Sequence, residues 1–178
     1  MISSIIDFTS GQSRALGAFE TAQALTNAHT PFNVVMVLPL GNGPTEQTLR
    51  WALDAVQERH PLLCVKLEPE KSGFRFSPTT LPIPLETLDR TDASTWMEIA
   101  ERELAHALDT EAGPLVHCSS IVDPDKGKAT EIVLTVHHSI IDAASAANLV
   151  EELLTACAAI EAGQTPQLGP PLWLIPAE

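Results

Sequence analysis

Two of the six histidines in the chain stand side by side, His137 and His138, at the head of the segment HHSIIDA, with Asp142 four residues after the second. An imidazole titrates near neutrality, which suits it to take a proton from a hydroxyl or amine nucleophile. The segment lies where the apolar stretch EIVLTV gives way to a helical pattern, and strand ends of this kind commonly carry the sites of α/β folds. On an extended backbone neighbouring side chains point in opposite directions, so one histidine of the pair faces a given cleft. Asp142 has two open uses: it can orient the loop by pairing with an arginine, or cap the following helix, since carboxylates favour helix N-termini. A metal site built from His137, His138 and Asp142 is a poorer fit, because adjacent imidazoles rarely converge on one ion. Ser139 stands in no GxSxG elbow, which argues against a serine hydrolase. Taken alone, the histidine pair also suits a purely structural or exposed role.

The elements that must position these residues can be read from periodicity. FNVVMVLPL at 32–40 is a continuous apolar run and predicts a buried strand. Thr45 is a good N-cap, and Leu49, Ala52, Leu53 and Val56 recur at helical spacing, so a helix is expected from there to about His60, before Pro61. Leu63, Val65 and Leu67 alternate with polar residues or Cys64 as in a half-buried strand, and EKSG before FRFS predicts a hairpin. LPIPLETLDR reads as a proline-rich connector, and the stretch from Thr95 to Leu108 as a second helix. Two strands, PLVHCSSIV and EIVLTV, are separated by the turn DPDKGKAT, and a third helix is expected from Asp142 to about Glu161, with Gly163 as its stop. This alternation predicts an α/β fold, a two-layer α/β sandwich spanning residues 1–163. Residues 164–178, QTPQLGPPLWLIPAE, have too many prolines and glycines for a regular element and read as a linker to a further segment.

Composition narrows the partners. A net charge of -13, with only ten Lys and Arg, opposes binding to nucleic acid or to an anionic membrane surface. The start MISSIIDF lacks the basic and long apolar regions of a signal peptide, and with no long apolar run the reading is a cytoplasmic chain outside the membrane. Cys64, Cys118 and Cys157 are odd in number and widely spaced, as expected of free buried thiols.

HHSIIDA resembles the HHxxxDG signature of the superfamily that contains chloramphenicol acetyltransferase, the peptide-synthetase condensation domains and the polyketide-associated acyltransferases. Three further segments are similar to that superfamily: ERHPLLCVKLE at 58–68 to its RHPLLR segment and strand, DTEAGPLVHCSSIVD at 109–123 to its Asp-containing connector and Pro-Leu strand, and RALGAFETAQA at 14–24 to its opening segment. The likeness runs over roughly residues 14–176 and corresponds to the N-terminal half of those enzymes. It implies a chloramphenicol-acetyltransferase-like subdomain in which His138 is the general base or positions the nucleophile, while His137 is structural. Asp142 would hold the loop by pairing with Arg59, and Ser139 and Ala143 would border the substrate channel. The implied activity is condensation-type acyl transfer from acyl-CoA or an acyl- or peptidyl-carrier-protein thioester to an alcohol or amine, with no metal or redox cofactor.

The chain departs from that pattern in four places. Ala143 stands for a glycine, and a methyl group there strains the loop or narrows the channel if the position needs a positive φ or close substrate approach. Cys64 and His117 stand where arginines are frequent. The second half of the superfamily fold, with its DFGWG-type motif, is not in the sequence, so a C-terminal half is an expected partner and the fragment is expected to self-associate. The alternative reading is a catalytically silent binding or scaffold module of the same fold.

Overall fold

The computed structural model describes residues 13–170, apart from 28 and 72. The opening MISSIIDF and the end of the expected linker, 171–178, lie outside the described residues. The strands are divided between two sheets. A small antiparallel sheet joins β1 (Arg14–Ala15), β4 (Gly73–Pro78) and β3 (Val65–Glu70) in the order β1-β4-β3. The larger sheet has the order β2-β7-β6-β5, built from β2 (Asn33–Pro39), β5 (Leu85–Asp89), β6 (Val116–Asp123) and β7 (Lys128–His137). The mixed α/β class read from the sequence is the one observed.

Helix α2 (Glu46–Arg59) starts where Thr45 accepts a hydrogen bond from the Thr48 backbone N–H at 3.2 Å, and it ends before Pro61, whose ring cannot continue it. Its buried stripe Leu49, Ala52, Leu53 and Val56 joins one apolar cluster with Leu149, Leu153, Ala156 and Cys157 of α4 (Ala143–Glu161). Along β7, Ile132, Leu134 and Val136 belong to that cluster. The residues between them, Val133, Thr135 and His137, point to the other face by strand alternation. Helix α3 (Thr95–Ala105) packs against β2, β6 and β7. Although α4 is long and apolar enough by composition to cross a membrane, it packs along α2 and carries Glu151 and Glu152 at its middle.

The structure corrects two local readings and adds a third element. Leu63 and Cys64 lie in a 3-10 turn, Pro61–Cys64, and the strand begins only at Val65. The connector LPIPLETLDR contains β5, which pairs in parallel with β6 along Leu85–Asp89. Its prolines, Pro82 and Pro84, precede the strand and leave its ladder donors intact. Finally, residues within 14–24, read only by resemblance, form β1 and the first two turns of α1 (Ala18–Asn27).

Candidate functional site

Strand β7 is a central strand, with β2 on one side and β6 on the other, and it ends at His137, with His138 the next residue. Its pairing lasts to its end: the His137 N–H donates to Leu115 O and the His138 N–H to Phe32 O, both at 2.9 Å. Beyond that point both neighbours run out, and the chain makes a short 3-10 turn, His138–Ile140, before entering α4. Helix α1 packs across this turn.

The two histidines are separated by this geometry. His137 is fully buried, and its Nδ1 accepts the Ser139 backbone N–H at 3.1 Å and lies 2.7 Å from Ser139 Oγ. Accepting at Nδ1 places the ring proton on Nε2, which is buried without a hydrogen-bond partner among the described residues. Burial, with a smaller contribution from His138, pushes the His137 pKa down to about 4, so the ring is neutral at physiological pH. Ser139 is itself mostly buried in this contact, and it also borders the cavity beside His138, as the sequence reading expected.

His138 is half-buried and borders a cavity of about 260 Å³ together with Arg14, Glu20, Gln23, Leu62 and Asp142. Its ring stacks on Phe32, with centroids 5.1 Å apart and planes 23° from parallel. Gln23 Nε2 lies 3.0 Å from its Nδ1. On the far wall Arg14 forms a bidentate pair with Glu20 at 2.7 and 2.6 Å, and Glu20 also accepts the Gly17 N–H at the start of α1 at 2.7 Å. The Arg14 guanidinium lies 4.8 Å from the centroid of the Phe76 ring. The cavity thus combines an imidazole with an internally neutralised ion pair and the Asp142 carboxylate at the head of α4.

Asp142 does not pair with Arg59, contrary to the sequence expectation. Its carboxylate accepts the Ser145 N–H at 2.7 Å and caps α4, and this hydrogen bonding holds its pKa below the usual carboxylate range. Arg59 Nε instead donates to both Glu152 oxygens, at 3.0 and 2.9 Å, and His60 Nε2 lies 2.6 Å from Glu152 Oε2. The reason is distance along the helix. Ten residues separate Asp142 from Glu152, about 15 Å of axis, and the last turn of α2 lies beside the middle of α4. This cluster borders a second cavity, of about 550 Å³, which shares Leu62, Ile140, Ile141 and Ser145 with the first.

Ala143 is the first residue of α4, in helical conformation, so its methyl group imposes no positive-φ strain there, and it does not border the His138 cavity. Cys64 donates its thiol to Gln57 O at 3.3 Å, and burial pushes its pKa up to about 11. His117 Nδ1 lies 3.1 Å from Glu103 Oε2 beneath α3. All three cysteines are free thiols. Gln23, Phe32 and the Arg14–Glu20 pair were not anticipated as neighbours of His138. Gln23 and the ion pair fall within the matched segment 14–24, but nothing in their spacing indicates that α1 folds back onto a turn more than a hundred residues away.

Compared with known proteins, residues 7–171 match the condensation domain family. Over 140 residues the chain is 23% identical to HC-toxin synthetase of Cochliobolus carbonum, covering 76% of this chain and 3% of the synthetase. Among solved structures, a variant of the starter condensation domain of rhizomide synthetase superposes with a TM-score of 0.76 at 18% identity, covering 88% of this chain and 40% of that one. Another variant of that domain, in complex with C8-CoA and Leu-SNAC, gives a TM-score of 0.73 at 16% identity, over 94% of this chain and 40% of that one. The epimerization domain from the third module of tyrocidine synthetase B gives 0.74 at 20% identity, over 90% of this chain and 38% of that one. The chain therefore spans well under half the length of these proteins.

Proposed function

We propose, for a chain that belongs to the condensation domain family, that it forms one wall of an acyl-transfer site in which His138 is the working imidazole. The observation that carries this reading is the placement of His138. It stands where the central strand ends, stacked on Phe32, held at Nδ1 by Gln23, and bordering a cavity shared with α1 and the start of α4. The ring nitrogen left without a protein partner among the described residues, Nε2, is available to a reacting group. An imidazole in such a place orients the nucleophile and exchanges a proton or hydrogen bond with it as the thioester carbonyl is attacked. His137, neutral and buried, shapes the turn and takes no part in proton exchange at the cavity.

The donor is proposed to be an acyl group carried as a thioester, on coenzyme A or on a carrier protein, and the acceptor an amine or alcohol. The related starter domain crystallised with C8-CoA and Leu-SNAC supports that class of ligand. The partial span of the solved domains supports a further stretch of chain as the opposite wall of the site.

The test is turnover of a thioester panel, followed by mass spectrometry, by the complete protein and by its His138→Ala variant. Acyl transfer that depends on His138 is expected. A complete protein that binds carrier protein but transfers no acyl group from any thioester would instead favour a silent binding module.

A further inference from the structure

The contact between Gln23 and His138 has a chemical consequence for the site. A neutral imidazole carries one ring proton, and the group bonded to one nitrogen selects which nitrogen holds it. The Gln23 side-chain nitrogen, an obligate donor, lies 3.0 Å from His138 Nδ1. Gln23 is buried on α1 and Phe32 stacks on the ring, so both the amide and the imidazole are held in place by packing.

We infer that Gln23 is a positioning residue that donates to His138 Nδ1 and so holds the neutral ring in the Nε2–H tautomer, presenting an N–H donor to the cavity. This rests on the reading of His138 as the working imidazole, and it makes that role more specific. The resting ring offers a hydrogen bond to an oxygen of the substrate, and it can take a proton at Nε2 only after the Gln23 amide turns over to present its oxygen to an Nδ1–H. Among the described residues, the charged and titratable groups facing the ring are few. Arg14 and Glu20, from β1 and α1, are paired with each other. Asp142, at the head of α4, is engaged in the cap, and the neighbouring His137 is kept neutral. None of them bonds to Nδ1, which leaves Gln23 as the group that sets the tautomer.

The test is long-range proton–nitrogen NMR on the 178-residue chain labelled at histidine, which distinguishes the two neutral tautomers and follows each ring through its titration. The wild-type chain is expected to show His138 as Nε2–H. Gln23→Leu should give a mixture of the two tautomers. Gln23→Glu, of nearly the same shape, should move the proton to Nδ1, because a carboxylate facing the ring can only accept a hydrogen bond. Amide spectra establish which variants keep the fold, and should either variant fail to fold, the wild-type tautomer alone still decides. A wild-type His138 carrying its proton on Nδ1, or a tautomer ratio unchanged in folded Gln23→Leu and Gln23→Glu, would overturn the inference. Because the readout is the ring itself, it stands apart from whether the complete protein transfers acyl groups.

Discussion

His137 and His138 are chemically identical side chains that the fold treats in opposite ways. His138 keeps one nitrogen for the cavity, so His138→Ala in the complete protein is expected to lower acyl transfer at least ~100-fold, the lower end for losing an acid–base group. His137→Ala should act mainly through stability, seen as a lower unfolding midpoint in urea with turnover per folded molecule nearly retained. Equal small losses of turnover in both variants would remove the distinction. Burial of His137 also has a pH signature. The ring titrates near 6.5 when unfolded and near 4 when folded, so between those values the unfolded chain takes up a proton that the folded chain refuses. Stability therefore falls as pH drops from about 6.5 towards about 4, by on the order of 3 kcal/mol from this group. Urea titrations at pH 7 and pH 4.5 should show a smaller difference in His137→Ala than in the wild-type chain.

Between α2 and α4 the pairing of charges is decided by where each helix lies along the other. The Arg59–Glu152 contact is part-buried and bifurcated, one Nε–H shared between both carboxylate oxygens, whereas Asp142 serves the first turn of α4. Double-mutant cycles should report this directly. Arg59→Ala and Glu152→Ala are expected to be coupled, and Arg59→Ala and Asp142→Ala to be additive within about 0.5 kcal/mol. Asp142→Ala alone should cost about 1 kcal/mol, and Asp142→Asn distinctly less, because asparagine also caps well. A large Arg59–Asp142 coupling would return the carboxylate to the loop-clamping role read from the sequence.

For the whole chain, the expectation is folding without turnover. The apolar cluster linking α2, α4, β6 and β7 is a core in its own right. Catalysis needs donor and acceptor held in line beside His138 with water excluded, and such positioning is worth ~7–11 kcal/mol of barrier. On the proposed reading, in which this chain forms one wall of the site, the chain alone lacks that positioning. Phe19, Trp51 and Leu25 are 69%, 55% and 54% exposed, large apolar groups of the kind that a partner surface covers. Light scattering should therefore find the isolated chain self-associating, and a thioester assay should find turnover only when a second half of the proposed kind is supplied. Robust transfer by a monomeric 178-residue chain would show that a second half is not needed.

Much of this was legible in the residues themselves. The strands β2, β6 and β7 and the helices α2 and α4 are announced by apolar period and by their caps, because burial of a face and satisfaction of helix ends are local demands on the sequence. The position of HHSIIDA at a strand end follows from the same signals, and its likeness to a family motif drew attention to His138. Two things were beyond that reach. Strand β5 is too short and too weakly patterned to be seen without β6 beside it. The partners of the site residues, Gln23 and Phe32 for His138, Glu152 for Arg59 and the Ser145 N–H for Asp142, depend on how far apart elements come to rest after packing. Asp142 had both a cap and an arginine open to it in the sequence, and only the docking of α2 against the middle of α4, about 15 Å from the helix head, decided between them.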